Sequence, residues 1–162
     1  TVTRAAETLT VPAANLPYNS TNMSIQMDGR MTYADEGASL TAKFFEWTKD
    51  SNDNVVLRLD TDAGSGDVVF IQEAGGTQDF VQSVSAYSPS INVPFNIASR
   101  HGSTFINGAI DGVALTANTT PTALPNLSST DLNLGQTFLG TIGQLRMWSD
   151  DITDTGITEA ST

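Results

Sequence analysis

The residues best suited to chemistry in this sequence are carboxylates and amides gathered in turns. The stretch 60–67, DTDAGSGD, presents Asp60, Asp62 and Asp67 around two glycines. Hard oxygen ligands on a flexible loop are what a calcium ion requires, so this loop is the place to expect calcium, although it lacks the bidentate glutamate of an EF-hand. An earlier turn, KDSNDN, carries Asp50, Asn52 and Asp53. Asp and Asn are also ordinary turn residues that keep hairpins soluble and blunt strand edges. Both accounts stand for these loops.

Carbohydrate recognition needs an aromatic face for the C–H surface of a sugar and planar amides or carboxylates for its hydroxyls. The aromatics to consider are Trp47, Tyr87 and Tyr33, with Asn52, Asp53 and Asn54 as polar neighbours and Arg58 on the second face of its strand. Burial in a core accounts equally well for each ring, and Trp148 is assigned to the core or to a subunit contact. Catalysis has less to work with. Retaining glycoside hydrolysis needs two carboxyls about 5 Å apart. Glu46 is the one glutamate within a strong strand pattern, with Asp50 already in the following turn, and it reads as a solvent-facing strand residue. His101 is the sole histidine and is expected in an exposed turn. No Ser sits in a G-x-S-x-G elbow. One His and no Cys exclude a zinc site of the usual kind. The chain is therefore expected not to be an enzyme.

Bulk properties narrow the partners. The 162 residues suffice for one domain with a real core. Eighteen acidic against seven basic residues give a net charge of −11. Such a surface repels phosphate backbones and anionic membranes, so neither nucleic acid nor membrane insertion is expected. No apolar run approaches the ~18 residues of a membrane span, and no secretory leader pattern is visible. A start at Thr1 is what a processed chain or a domain cut from a longer protein would give. Charged residues are only 15% of the chain, and the abundance of Thr, Ser, Asn, Gly and Ala suits β-sheets exposed on one side.

The elements that must position these residues are short strands. Residues 1–21 read as an extended lead-in with one edge strand, interrupted by Pro12 and Pro17, and residues 22–162 as a single sandwich domain. In SIQMDGRMTY, Ile25, Met27, Met31 and Tyr33 alternate, with Gly29 as a bulge or kink. In LTAKFFEWT, Leu40, Ala42 and Phe44 take one face while Phe45 and Trp47 take the other. VVLRLD, VVFIQE, DFVQSVSAY, VPFNIASR and DLNLG continue the rhythm, divided by turn residues. His101–Gly102 reads as a tight reversal. Asn107–Gly108 is the strongest hairpin signal, and Asp111–Gly112 repeats it. In FLGTIGQLRMW the apolar period slips, and a bulge near Gly143 would return Phe138, Ile142, Leu145 and Met147 to one core. A single helical turn follows, capped by Thr153 and stapled by Ile152 and Ile157. Short strands with turn signals every 8–12 residues predict an all-β, two-sheet antiparallel sandwich.

The segment GTIGQLRMW, followed by acidic residues and a capped turn, resembles the closing segment of concanavalin A-like jelly rolls of the laminin-G-like and pentraxin-like branch. FNIASRHGSTFINGAIDG fits the preceding slot. More narrowly, INGA, TTPTALP, LNLG and FLGTIGQLRMWSDDIT together resemble laminin-G-like domains of bacteriophage and prophage tail or virion proteins. The chain departs from these relatives in lacking the laminin G cysteine pair, the pentraxin double-calcium cluster and the legume-lectin metal ligands. The Glu-x-Asp-x-x-Glu strand motif of glycosidases on this architecture is also missing. The resemblance implies a jelly roll and a non-catalytic adhesion module that binds a surface glycan from a virion, extracellular or cell-surface position. It equally admits a structural virion or cell-surface domain acting as a homo-oligomer, trimeric if part of a fibre.

Overall fold

Alternation sets the strands, and the computed structural model, which describes residues 9–33, 41–60, 66–87 and 92–162, shows where it leads. Met23, Ile25, Met27 and Met31 share the buried face of β2 (Asn22–Tyr33). Val55, Leu57 and Leu59 do the same in β4 (Asp53–Asp60), as do Val68 and Phe70 in β5 (Asp67–Ala74), and Phe95 and Ile97 in β7 (Pro94–Gly102). The edge strand of the lead-in is β1 (Leu9–Val11). The other strands are β3 (Thr41–Asp50), β6 (Thr77–Gln82), β8 (Ile106–Ile110), β9 (Val113–Ala114), β10 (Leu132–Leu134) and β11 (Leu139–Trp148). Among the described residues they form a six-stranded sheet, β1-β10-β3-β4-β5-β6, and a five-stranded sheet, β11-β2-β7-β8-β9. Neighbouring strands run antiparallel. This is the all-β jelly-roll sandwich, closed by one helix, α1 (Thr153–Ala160).

One core lies between the sheets. Phe44, Phe95 and Phe138 meet with ring centroids 5.2 to 5.7 Å apart and tie the sheets together. Burying each such ring contributes roughly 2–3 kcal/mol. Two slips in register serve this core. In β11 the pairing passes from Ile142↔Gly29 to Leu145↔Met27, so Ile142, Leu145 and Met147 pack on the same core as Phe138, as the slipped apolar period requires. The irregularity belongs to β11, and β2 runs unbroken through Gly29. In β3 the pairing passes from Lys43↔Arg58 to Phe45↔Leu57. Phe44, Phe45 and Trp47 are therefore all buried in one core, which corrects the two-faced reading of this strand.

Two turn expectations are also corrected. Asn107–Gly108 lies inside β8, paired with Arg100 and Ser99. A Cβ on Gly108 would overlap the Phe70 ring, so this glycine serves close packing between the sheets. The reversal occurs at Asp111–Gly112, with φ of 47° and 80°. His101 continues β7 and is fully buried, because the chain turns only after Gly102.

The closing helix is longer than the single turn expected. Ile157 packs on Ala98 and Ala109 with Ile152 beside it, on the outer face of the five-stranded sheet. Arg100 fastens its start. Nε and Nη2 donate to Asp151 at 2.7 and 2.6 Å, and Nη1 donates to Asp154 at 2.8 Å. Asn107 donates to the same Asp154 oxygen at 2.9 Å. The guanidinium lies 3.9 Å from the centroid of the Phe105 ring.

Candidate functional site

While Ile25, Met27 and Met31 fill the core, the residues between them, Gln26, Asp28 and Arg30, are turned to the outer face of β2. Register brings Asn96 opposite Asp28 and Pro94 opposite Arg30 from β7. On the other side Thr141 of β11 stands opposite Arg30. The turn after β8 adds Asp111. Asp28, Arg30, Pro94, Asn96, Thr141 and Asp111 line an open groove of about 550 Å³, with Ser161 and Thr162 at one wall.

The polar groups of the groove are fixed from elsewhere in the chain. Asp28 accepts from the Gln144 backbone N–H at 3.2 Å and from Gln26 Nε2 at 3.3 Å, one donor on each oxygen. The β11 bulge makes this possible, since a Cβ on Gly143 would overlap the Asp28 carboxylate. Asp111 accepts from the Asn96 backbone N–H at 2.9 Å and from the Tyr87 hydroxyl at 2.8 Å, again on separate oxygens. Asn96 accepts from Gln26 Nε2 at 2.6 Å and donates to the Thr162 main-chain oxygen at 3.1 Å. Arg30 donates from Nη1 to the Asn92 carbonyl at 2.6 Å, leaving further N–H groups of its guanidinium for a ligand. Burial, reinforced by the bond to Asp111, raises the Tyr87 phenol, which remains a donor.

The residues singled out from the sequence do not converge. Trp47 is fully buried, its Nε1 donating to the Thr130 carbonyl at 2.7 Å and its ring meeting Tyr18 edge-on. The β3 register shift draws it inward, so its face is closed to a sugar. Tyr87 is half-buried and reaches the groove through Asp111. Tyr33 ends β2 opposite Leu139, and its side chain lies outside the described residues. Asn52 and Asp53 build the β3–β4 turn: Asn52 N–H donates to Asp50, and Asp53 accepts from the Gly75 N–H and Lys49, both at 3.1 Å. Those bonds, Gly75 first and then Lys49, hold the Asp53 carboxyl below its ordinary value. Asn54 donates to Glu73 at 3.0 Å. Arg58 lies on the outer face of the six-stranded sheet, 3.4 Å from Asp60. Asp60 and Asp67 face one another across the end of β4 and β5, while Asp62 lies outside the described residues. Among the described residues no group of three or more His, Cys, Asp or Glu is placed to hold a metal ion.

The other candidates are also accounted for. Glu46 pairs with Lys43 at 2.6 Å on the outer face of the six-stranded sheet. His101 meets Ser99 Oγ at 3.1 Å, and burial pushes its imidazole down to about 3. Its Nδ1 and the Oε1 of buried Gln72 have no hydrogen-bond partner among the described residues. Trp148 is half-buried on the outer face of the five-stranded sheet, opposite Ser24. Sequence reasoning missed Asp28, Arg30, Asn96 and Asp111. The available signal was the polar side of β2, where an amide, a carboxylate and a guanidinium alternate with core residues.

No family model and no curated protein matches the sequence. Solved structures do resemble it. The CBM40 module of the Ruminococcus gnavus IT-sialidase, bound to α2,3-sialyllactose, superposes with a TM-score of 0.67 at 14% identity, over 92% of this chain and 86% of that one. Domain 4 of AbnA, a GH43 extracellular arabinanase from Geobacillus stearothermophilus in complex with arabinotriose, gives 0.66 at 16% identity, over 94% and 71%. A heptameric SAP-like pentraxin from Limulus polyphemus gives 0.62 at 7% identity, over 86% and 69%. At these identities the likeness establishes the fold, a concanavalin A-like sandwich.

Proposed function

We propose that this chain is a non-catalytic glycan-recognition module that binds a surface carbohydrate in the groove between β2, β7, β11 and the Asp111–Gly112 turn. One observation carries the reading. Asp28, Asn96 and Asp111 are each oriented by bonds from distant parts of the chain, yet their oxygens keep spare lone pairs, and Arg30 keeps spare donors, around a space of about 550 Å³. Pre-oriented polar groups lining a concave space are what sugar hydroxyls require. Two of the structural neighbours are modules whose structures contain a bound carbohydrate, which supports the same trade.

The resemblance of the closing segment to phage laminin-G-like domains supports a place on a virion or cell surface. Assembly alone is the rival role. Its support is weaker, because among the described residues the exposed large apolar side chains are scattered, with Leu9, Phe80, Val113 and Leu139 one to each edge strand and Val84 and Val93 outside the strands.

A broad glycan array, read once with calcium and once with a chelator, tests the proposal. A hit weakened at least tenfold by Asp28→Asn, and unchanged by Arg58→Ala, is the expected result. Calcium dependence would bring Asp60, Asp62 and Asp67 into the site. Silence from the folded protein under both conditions would overturn the reading and turn attention to its mass in solution.

A further inference from the structure

We infer that the groove selects neutral, hydroxyl-rich sugars and rejects sugars that carry a carboxylate. The inference rests on the glycan-binding reading and names its ligand class. Two carboxylates, Asp28 and Asp111, and one guanidinium, Arg30, line the groove, so its fixed side chains carry a net charge of −1, two negative charges less one positive. The Asn96 amide is neutral, with one N–H of its Nδ2 bonded to the Thr162 main-chain oxygen. The Thr162 oxygen is itself an acceptor. Arg30 is partly spent on the Asn92 carbonyl. Arg146 stands one step outside the lining, with Nη1 held by Gln26 Oε1 at 3.4 Å and Nη2 by Gln144 Oε1.

The charge of the groove is therefore weighted toward carboxylates, which accept hydrogen bonds from hydroxyls. A sugar hydroxyl can donate to Asp28 or Asp111 and accept from Arg30 in turn. Adjacent hydroxyls on one ring can share a single carboxylate, as charge-assisted bonds favour. A carboxylate on the sugar has no proton to give and meets two like charges against one opposite. The whole chain, at −11, adds repulsion of the same sign during approach.

The test is calorimetry on the full chain with matched neutral and acidic probes: lactose, arabinotriose and maltotriose against α2,3-sialyllactose and trigalacturonate. At least one neutral probe should bind, with every acidic probe at least tenfold weaker than that one. The isosteric double variant Asp28→Asn/Asp111→Asn, its fold checked by circular dichroism, should weaken the neutral probes but bind an acidic probe at least as tightly as the native chain does, because the repelling charges are gone. An acidic probe binding as tightly as the neutral ones would overturn this inference and leave the glycan-binding reading standing. So would acidic probes that lose affinity in the double variant in step with the neutral ones. No binding of any probe by the folded protein would overturn both.

Discussion

On and beside the six-stranded sheet, Lys43 reaches Glu46 three residues away, Lys49 reaches Asp53 four away, and Arg58 reaches Asp60 two away. On the outer face of the five-stranded sheet, Arg100 reaches Asp151 and Asp154, 51 and 54 residues away, and the Gln144 N–H reaches Asp28 across 116. Local pairs of the first kind are partly in water, where screening leaves an ion pair little to contribute. Bonds of the second kind form only when the whole sandwich has closed, and they then hold side chains in one orientation. That contrast is why we propose the groove, rather than the acidic turns, as the site.

The largest expected effect comes from cutting the deepest of these bonds. Arg100→Ala leaves Asp151 and Asp154 facing the sheet without their cation, on a side chain that is only 12% exposed. Loss of one partner of such a network should cost about 3 kcal/mol, read as a lower midpoint in urea. Arg58→Ala should cost less than about 1 kcal/mol. Equal losses in the two variants would erase the distinction between the faces.

Acid should act on the same side of the molecule. His101 lies on the inner face of β7, and its folded value of about 3 stands well below its ordinary 6.5, burial being the cause. Below pH 6.5 the unfolded chain takes up a proton that the folded chain refuses. Stability therefore falls as the pH drops toward 3, by up to about 1.4 kcal/mol per unit. Asp154 adds a loss in the same direction at lower pH. Burial opposes its charge, but Asn107 and Arg100 outweigh that and hold it below its ordinary value. Between about pH 6 and pH 4.5 the loss due to His101 should reach about 2 kcal/mol. Denaturant titrations across that window should show it, and His101→Gln should flatten the profile. A profile unchanged by the substitution would remove His101 as the acid-sensitive group.

The same contrast explains what could be read from the sequence. Alternation in β2, β4, β5 and β7 is local, and so is the slip of Ile142 against Leu145 that announces the β11 bulge. The packing of Ile152 with Ile157 and the Asp111–Gly112 turn are local too, although Ile152 rather than the expected Thr153 takes the cap position of the helix. The Phe44–Phe45 doublet carried the same kind of slip as β11, but reading it as two faces sent Trp47 outward, and with it the proposed sugar platform. Asn107–Gly108 satisfies every local rule for a hairpin, yet the Phe70 ring from the opposite sheet claims the space above Gly108. The groove gathers Asp28, Asn96, Asp111 and Thr141 from four separate segments. No window of sequence contains them, so carboxylates crowded in single turns drew the attention instead.

Asp111 joins the two parts of the argument at smaller energy. Its φ of 47° is one that Asn also tolerates, so Asp111→Asn should keep the turn. It should weaken the bonds from Tyr87 and the Asn96 N–H, with a cost to stability of about 1 kcal/mol. Glycan affinity should fall roughly tenfold, equivalent to about 1.4 kcal/mol. Full affinity in this variant would move the ligand away from the Asp111 end of the groove.

The smallest effect is expected at Phe80, and it is the sharpest check on which face binds. Phe80 is 50% exposed on the edge strand β6. It pairs with Ile71, which packs with Val56 and Val69 on the outer face of the six-stranded sheet. An exposed ring beside Gln78 and Gln82 has the composition of a sugar platform, and composition alone would choose it over the groove. The Thr122 N–H reaches the adjacent Asp79 at 2.6 Å, but among the described residues no hydrogen bond orients Gln78 or Gln82 beside the ring in the way Gln144 and Tyr87 orient Asp28 and Asp111. Phe80→Ser should therefore change stability by less than about 0.5 kcal/mol and leave glycan affinity as it was. If affinity instead collapses in Phe80→Ser and survives in Asp28→Asn, the ligand sits on the six-stranded sheet. An exposed ring would then matter more to this module than polar groups fixed by the fold.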